Sequence, residues 1–225
     1  MQNSDLRKQY DNGITEDFSL NQKEKNQVNR EIMYEFAGVG LFGKKVLDLC
    51  CGDGIDANYY KEIGASVCGI DASEGLIAIA KKQYQGIDFQ VGFAEDLSYE
   101  DSSFDMILSK YAIMTSPDMT PIFGEINRVL KPGGTVIYLV THPLRQWMER
   151  RDFSQDYFEQ AIVTANILDN TVSLREPTHT MNEFFNADFF AKFMMVDFKE
   201  VWDPAAEQIG GGKYPGFFIV KAIKK

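Results

Sequence analysis

Histidine and cysteine are scarce in this chain. Two histidines, His142 and His179, and three cysteines, Cys50, Cys51 and Cys68, are all that 225 residues contain. There is no CxxC, no histidine stands at ligand spacing, and the odd cysteine count is clustered in one third of the chain, so neither a zinc site nor a disulfide framework is expected and the metal set is read as none. Positive charge is also in deficit. Lys plus Arg number 23 against 33 Asp plus Glu, a formal charge of -10, the wrong sign for the counterion release that nucleic-acid and anionic-membrane binding draw on. Long apolar runs are missing too: the segment MQNSDLRKQYDNGITEDFSLNQKEKNQ has no apolar core, and the longest charge-free stretches are broken by Gly, Pro, Thr or His. These absences point to a reduced, cytoplasmic protein, a monomer or homodimer whose partner is a small molecule rather than a nucleic acid or a membrane.

What is present is core. At 44% hydrophobic and 13% aromatic, the chain can bury a sizeable interior, and its length corresponds to about 1.5 typical domains, favouring one elaborated domain. From residue 44 short apolar runs alternate with amphipathic segments. KKVLDLC, SVCGID, IDFQVGF, FDMILSK and GTVIYLV read as buried strands, the last entered through the turn LKPGG at 130–134. IDANYYKEIG and SEGLIAIAKKQY read as helices, the second capped by Ser73. Such alternation predicts an α/β fold, a doubly wound, mostly parallel sheet with right-handed crossovers. Near the end a helical stretch, NEFFNADFFAKFM, precedes VDFKEVW and YPGFFIVKAI. The Gly-rich link QIGGGK between these two runs is too short for a crossover helix, so they are expected to pair as an antiparallel hairpin.

VLDLCCGDG, residues 46–54, places a tight Gly turn between a strand and a helix, where backbone N–H groups meet a ligand. Gly52, Gly54 and Ala57 satisfy GxGxxA, and Asp71 follows at a later strand end, where an acid can hold ribose hydroxyls; taken alone the pattern suits an NAD-dependent oxidoreductase. Charge separates the readings. Asp48, Asp53 and Asp56 crowd the turn, and a pyrophosphate there would meet like charges at a cost of about 3 kcal/mol each at roughly 5 Å and an effective dielectric near 20. A ligand with a positive centre and no phosphate, such as S-adenosylmethionine, reverses the sign. After the third strand, FAEDL at 93–97 supplies a carboxylate for an adenine amino group and an apolar residue for its ring.

With these motifs in hand, the chain resembles the class I S-adenosylmethionine-dependent methyltransferases. VLDLCCGDG looks like that family's first motif, GIDAS contains its ribose-binding acid Asp71, FAEDL its adenine loop, FDMILSKYAIM the strand beside the methyl donor, and RVLKPGG the turn before the fifth strand. One position departs: Cys50 stands where the family usually has glycine. THPL and HTMNEFF resemble a bacterial subgroup that methylates small molecules. The resemblance implies a Rossmann-like sheet of seven strands with an antiparallel C-terminal hairpin. It also implies a cofactor site of Asp48, Cys50, Gly52, Asp71, Ala72, Glu95, Asp96, Leu97 and Ser109, and transfer of the methyl of S-adenosylmethionine to an O, N or C nucleophile, leaving S-adenosylhomocysteine. A SAM-binding regulatory protein without transfer activity uses the same residues and remains the alternative from another class.

The expected organisation is an N-terminal helical cap over 1–43, a cofactor-binding core over 44–142, a helical lid insertion over 143–177 carrying Trp147, Phe153, Tyr157 and Phe158, and a C-terminal helix and hairpin over 178–225. Catalytic candidates are His142, His179 and Tyr10. A histidine that titrates near neutral pH is a natural base, although a sulfonium is already an activated leaving group and positioning alone can suffice. His142 precedes a proline and His179 a helical stretch, so each also reads as a cap. Cys50 and Cys51 are expected to be buried thiols rather than a redox pair, and Arg145, Arg150 and Arg151 read either as an anion subsite or as a solvated helix face.

Overall fold

The computed structural model describes residues 6, 8–10, 19, 27–150, 154–167, 172–203 and 211–225. Its strands are β1 (Lys45–Leu49), β2 (Ser66–Asp71), β3 (Asp88–Val91), β4 (Phe104–Lys110), β5 (Leu130–Thr141), β6 (Ile162–Ile167), β7 (Val172–Pro177), β8 (Phe193–Val201) and β9 (Phe217–Lys224). Seven of them form one sheet in the order β3-β2-β1-β4-β5-β9-β8. β1 to β5 run parallel to their neighbours, whereas β9 runs antiparallel to β5 and β8 antiparallel to β9. The expected doubly wound sheet with a reversed final hairpin is present. Strand order reverses about β1, so the carboxyl ends of β1 and β4 open a crevice between crossovers that leave in opposite directions.

Both faces of the sheet are covered, so strands such as β1 are buried along almost their whole length. Helices α1 (Gln27–Ala37), α2 (Ile55–Glu62) and α3 (Glu74–Gln83) bury Met33, Ala57, Tyr60, Ile77 and Ala80 on one side. On the other side α4 (Thr120–Val129) buries Ile122, Phe123, Ile126 and Val129, a helical stripe that leads in through a proline in its first turn. Each such side chain stabilises the fold by roughly 1.5–3 kcal/mol. Ser73 caps α3 as expected, its Oγ accepting the Leu76 N–H at 3.1 Å.

The insertion differs from its expected form. Among its described residues only α5 (Pro143–Arg150) is helical; β6 and β7 form a separate antiparallel pair. The reason is a period-2 alternation, buried at Val163 and Ala165 and again at Val172 and Leu174, which the aromatic and basic residues upstream overshadowed. Arg151 and Phe153 lie outside the described residues, as do positions 208–210 of the Gly-rich link. Of the 1–43 segment, the described parts are residue 6, a 3-10 turn at Lys8–Tyr10, residue 19, and α1 with the loop that follows it. The single helix expected over 182–194 is broken into α6 (Met181–Phe184) and α7 (Ala187–Lys192). Asn186 starts the second, its Oδ1 accepting the Phe189 N–H at 2.9 Å. Among the described residues no helix is long and apolar enough to cross a membrane, and no three His, Cys, Asp or Glu side chains converge as a metal site.

Candidate functional site

β1 ends into the turn Cys50–Gly54 at the carboxyl edge of the sheet. Cys50, Gly52 and Gly54 all have positive φ, at 60°, 55° and 82°, and the turn is closed by Cys51 N–H to Ile70 O and Gly54 N–H to Cys51 O, each at 3.0 Å. The left-handed conformation costs a residue with a Cβ roughly 1–2 kcal/mol. Cys50 bears that strain, so the turn survives without the usual glycine. Gly54 has no such latitude, because an added Cβ would lie 2.7 Å from Phe89 Cζ.

Asp71 ends β2 and reaches back to the turn. Its Oδ2 accepts the Gly52 N–H at 2.8 Å and its Oδ1 the Ser73 N–H at 2.9 Å; Ala72 lies beside it, half-buried. The loop after β3 is braced from α4. Leu97, 4% exposed, gives its N–H to Glu125 Oε2 at 2.8 Å and its carbonyl to Arg128 at 2.8 Å. The Glu125 carboxyl is held below its usual range, chiefly by its hydrogen bond from Arg128. Glu95 accepts the Ser116 hydroxyl at 3.1 Å, linking this loop to the turn after β4, while Asp96 stays exposed.

Two polar atoms on this edge are buried without a partner among the described residues: Asp48 Oδ2 and Ser109 Oγ. Native interiors seldom leave such atoms unpaired except where a ligand or water meets them. Burial, and then the facing Asp56, push the Asp48 carboxyl well above the usual carboxylate range, with Lys110 opposing. The residue set expected from the sequence therefore converges. Asp48, Cys50, Gly52, Asp71 and Ala72 line the ends of β1 and β2, Glu95, Asp96 and Leu97 the following loop, and Ser109 the end of β4.

A second layer of the site was not found from the sequence. Asp56, in the first turn of α2, accepts the Tyr34 hydroxyl at 2.6 Å, lies 3.2 Å from Arg30 Nε, and pairs with Lys110 Nζ. Asn29 donates to the Tyr111 hydroxyl at 2.9 Å, and Tyr111, at the exit of β4, is held at φ 54°. Asn29 and Arg30 are 6% and 5% exposed and share the buried face of α1 with Met33 and Ala37. Polar residues on the apolar face of an amphipathic helix were the signal available.

The catalytic candidates fare differently. His142 is 5% exposed; its Nδ1 accepts the Leu144 N–H at 3.0 Å and its Nε2 lies 2.9 Å from Glu200 Oε1. Both nitrogens are engaged, and the ring accepts an N–H of the first turn of α5, as the cap reading of this residue expects. Burial pushes its pKa down, against the hydrogen bond it gives to Glu200. His179 Nε2 donates to Met114 O at 2.8 Å, and its Nδ1 is buried 3.5 Å from Glu183 Oε2. Tyr10 faces Asp71 and Cys50, and burial followed by those two groups pushes its phenol pKa up, which keeps its proton in place. Arg145 is taken by Glu149 and Asp203, each at 2.7 Å, and offers no anion subsite. No disulfide joins the three cysteines.

Comparison with known proteins bears on the fold and on the segment that carries most of this edge. Residues 47–138 match the family of methyltransferase domains. An uncharacterized methyltransferase of Synechocystis is 37% identical over 108 residues, 47% of this chain and 51% of that protein. Demethylmenaquinone methyltransferase of Chlorobaculum tepidum is 29% identical over 153 residues, 67% of this chain and 63% of the relative. The chain thus spans about half to two thirds of the length of these relatives. In fold it is similar to the S-adenosylmethionine-dependent methyltransferase of Mesorhizobium loti, with a TM-score of 0.69 at 22% identity, covering 90% of this chain and 99% of the other.

Proposed function

We propose that this chain, whose residues 47–138 match the methyltransferase-domain family, binds S-adenosylmethionine and directs its methyl group to an O, N or C nucleophile of a small molecule. The observation that carries this reading is the pair of unsatisfied buried oxygens, Asp48 Oδ2 and Ser109 Oγ, on the same edge as Asp71 and the left-handed turn. The residues fit the cofactor. Asp71 faces the ribose position, Leu97 and the Glu95–Asp96 pair the adenine, and Asp48 with the Gly52 turn the methionine end. When bound, the cofactor supplies a methyl group on a positively charged sulfur, ready for in-line displacement.

The protein's own part is binding, orientation and exclusion of water. Gly52 N–H and Ser73 N–H hold the Asp71 carboxylate in a fixed direction. The N-terminal turn and the β6–β7 hairpin are read as one lid, since Tyr10 packs against the cluster of Val172 and Leu174 while facing Asp71. His142 has both ring nitrogens engaged and Tyr10 keeps its proton, which leaves the buried Nδ1 of His179 as the remaining candidate base. The relatives named for demethylmenaquinone and for phthiotriol dimycocerosates belong to the same broad class of small-molecule methylation. The free thiols fit a reducing compartment, the cytoplasm.

An NAD-dependent oxidoreductase is disfavoured by the carboxylates packed around the turn, and a SAM-binding regulator would lack turnover. Calorimetry with S-adenosylmethionine, S-adenosylhomocysteine and NAD, followed by a methyl-transfer assay over a panel of hydroxyl, amine and activated-carbon acceptors, tests all three. Micromolar binding of NAD without binding of S-adenosylhomocysteine would overturn the proposal. Tight cofactor binding with no transfer to any acceptor class would favour the regulator.

A further inference from the structure

Among the described residues β8 is the outer strand of the sheet, and it is long and apolar for that position. Edge strands of soluble proteins are commonly short, charged or interrupted by proline, because a free row of N–H and C=O groups invites another strand. The opposite edge, β3, has four residues. β8 has nine and no proline, and every residue from Met194 to Glu200 is exposed. Met194 is 51% and Val196 45% exposed, and Met195 and Phe198 are open as well. Val196 is the extra residue of a bulge against β9, where Met195 faces Ala222 and Asp197 faces Lys221, so Asp197 to Val201 is the regular part of the strand. Phe198 meets Phe185 at a ring-centroid distance of 5.7 Å, and Phe185 stacks on the exposed Phe190 of α7. The apolar surface thus continues from the strand onto the helix.

We propose that this edge is where two copies of the chain meet: β8 pairs antiparallel with β8 of a second copy about a two-fold axis at Phe198, joining two seven-stranded sheets into one. A two-fold contact uses the same patch on both copies. Facing residues of an antiparallel pair point to the same side of the sheet, so the axis must pass between a residue and its own copy. The charges then select the register. An axis at Asp197, Lys199 or Glu200 sets like charges face to face, which opposes pairing. One at Val201 pairs only Val201 within the strand, and one at Val196 sets Asp197 against Met195. With the axis at Phe198, Asp197 of each copy faces Lys199 of the other, and the two Phe198 rings lie between these pairs. In the single chain Asp197 Oδ1 accepts the neighbouring Phe198 N–H at 2.9 Å, while Lys199 lies opposite Ile219 with no carboxylate partner among the described residues. The proposal does not depend on what the carboxyl edge of the sheet binds.

Sedimentation equilibrium of the full chain tests the contact. The mass of the wild-type protein should rise from one chain to two as its concentration is raised from about 1 µM to about 1 mM. Asp197→Lys sets ammonium groups against one another and Lys199→Asp sets carboxylates against one another, and each should weaken the dimer by about tenfold or more. An equal mixture of these two variants puts opposite charges face to face again, as does the double variant, and both should dimerise as the wild type does. A wild-type protein that remains a single chain throughout this range overturns the proposal. So does a dimer that neither reversal weakens, or a pair of reversals that mixing fails to rescue. Both positions are exposed, so the variants should melt within a few degrees of the wild type. Should either fail to fold, hydrogen exchange of the wild-type protein decides instead: the amides of residues 197–201 should exchange more slowly as concentration rises, those of β3 should not change, and exchange at 197–201 that is independent of concentration refutes the pairing.

Discussion

Gln9 and Arg175 are joined by two hydrogen bonds across 166 positions of sequence: Gln9 Nε2 donates to the Arg175 carbonyl at 3.0 Å, and the Arg175 N–H donates to Gln9 Oε1 at 2.8 Å. A side-chain amide here pairs with a strand residue much as a neighbouring strand would, and it ties the turn that carries Tyr10 to the β6–β7 hairpin.

Gln9→Ala removes both bonds, each worth about 0.5–1.5 kcal/mol net. Amide exchange over residues 8–10 and 172–177 should quicken, and S-adenosylhomocysteine should bind a few-fold more weakly. In the wild-type protein the same amides should gain protection when S-adenosylhomocysteine is added. If they exchange as slowly as those of β1 and β4 with and without it, the hairpin is core and does not act as a lid.

Cys50→Gly relieves a Cβ held at φ 60°. The relief of about 1–2 kcal/mol exceeds the added chain entropy of glycine, about 0.5–1 kcal/mol. The urea midpoint should rise modestly with an unchanged slope. A fall in the midpoint would show that contacts of the Cys50 thiol outweigh the strain.

Asp71→Ala leaves the Gly52 and Ser73 N–H groups without their acceptor and removes the carboxylate assigned to the ribose. S-adenosylhomocysteine binding should weaken by roughly 1–3 kcal/mol, read by calorimetry. Unchanged affinity would move the ribose site away from the end of β2.

His142 links stability to pH. Burial, opposed by Glu200, lowers its folded-state pKa, so the unfolded chain binds a proton at a pH where the folded protein does not. Its contribution is therefore fully present above the unfolded value of about 6.5 and is lost as pH falls from there toward the depressed folded value. Protonation also replaces the acceptor at Nδ1 with a donor opposite the Leu144 N–H. Urea unfolding at a series of pH values should show wild-type stability falling below about pH 6.5 more steeply than that of His142→Asn, by at most about 1.4 kcal/mol per pH unit. Parallel profiles would mean that His142 is not the titrating group.

The sequence by itself determined the parallel core and most of the cofactor edge, because the signals are local. Apolar runs with flanking turns mark β1, β4 and β5, the Ser73 cap marks the start of α3, and the turn residues from Asp48 to Gly54 are contiguous in the chain. It also foresaw the final hairpin, although the chain between β8 and β9, residues 202–216, is longer than the QIGGGK run that suggested it. The β6–β7 alternation was equally local and lay hidden behind a more conspicuous aromatic and basic stretch. Tertiary structure alone decided the buried charges. Arg30, Tyr34 and Lys110 converge on Asp56 from α1 and β4, and Asp48 is left bare only because they do. Likewise the cap at His142 was legible locally, whereas the Glu200 carboxylate that engages its other nitrogen comes from β8, 58 residues away. Backbone conformation and amphipathic period are written within a few residues, whereas the protonation and partnership of a buried group depend on which distant charges the topology desolvates beside it.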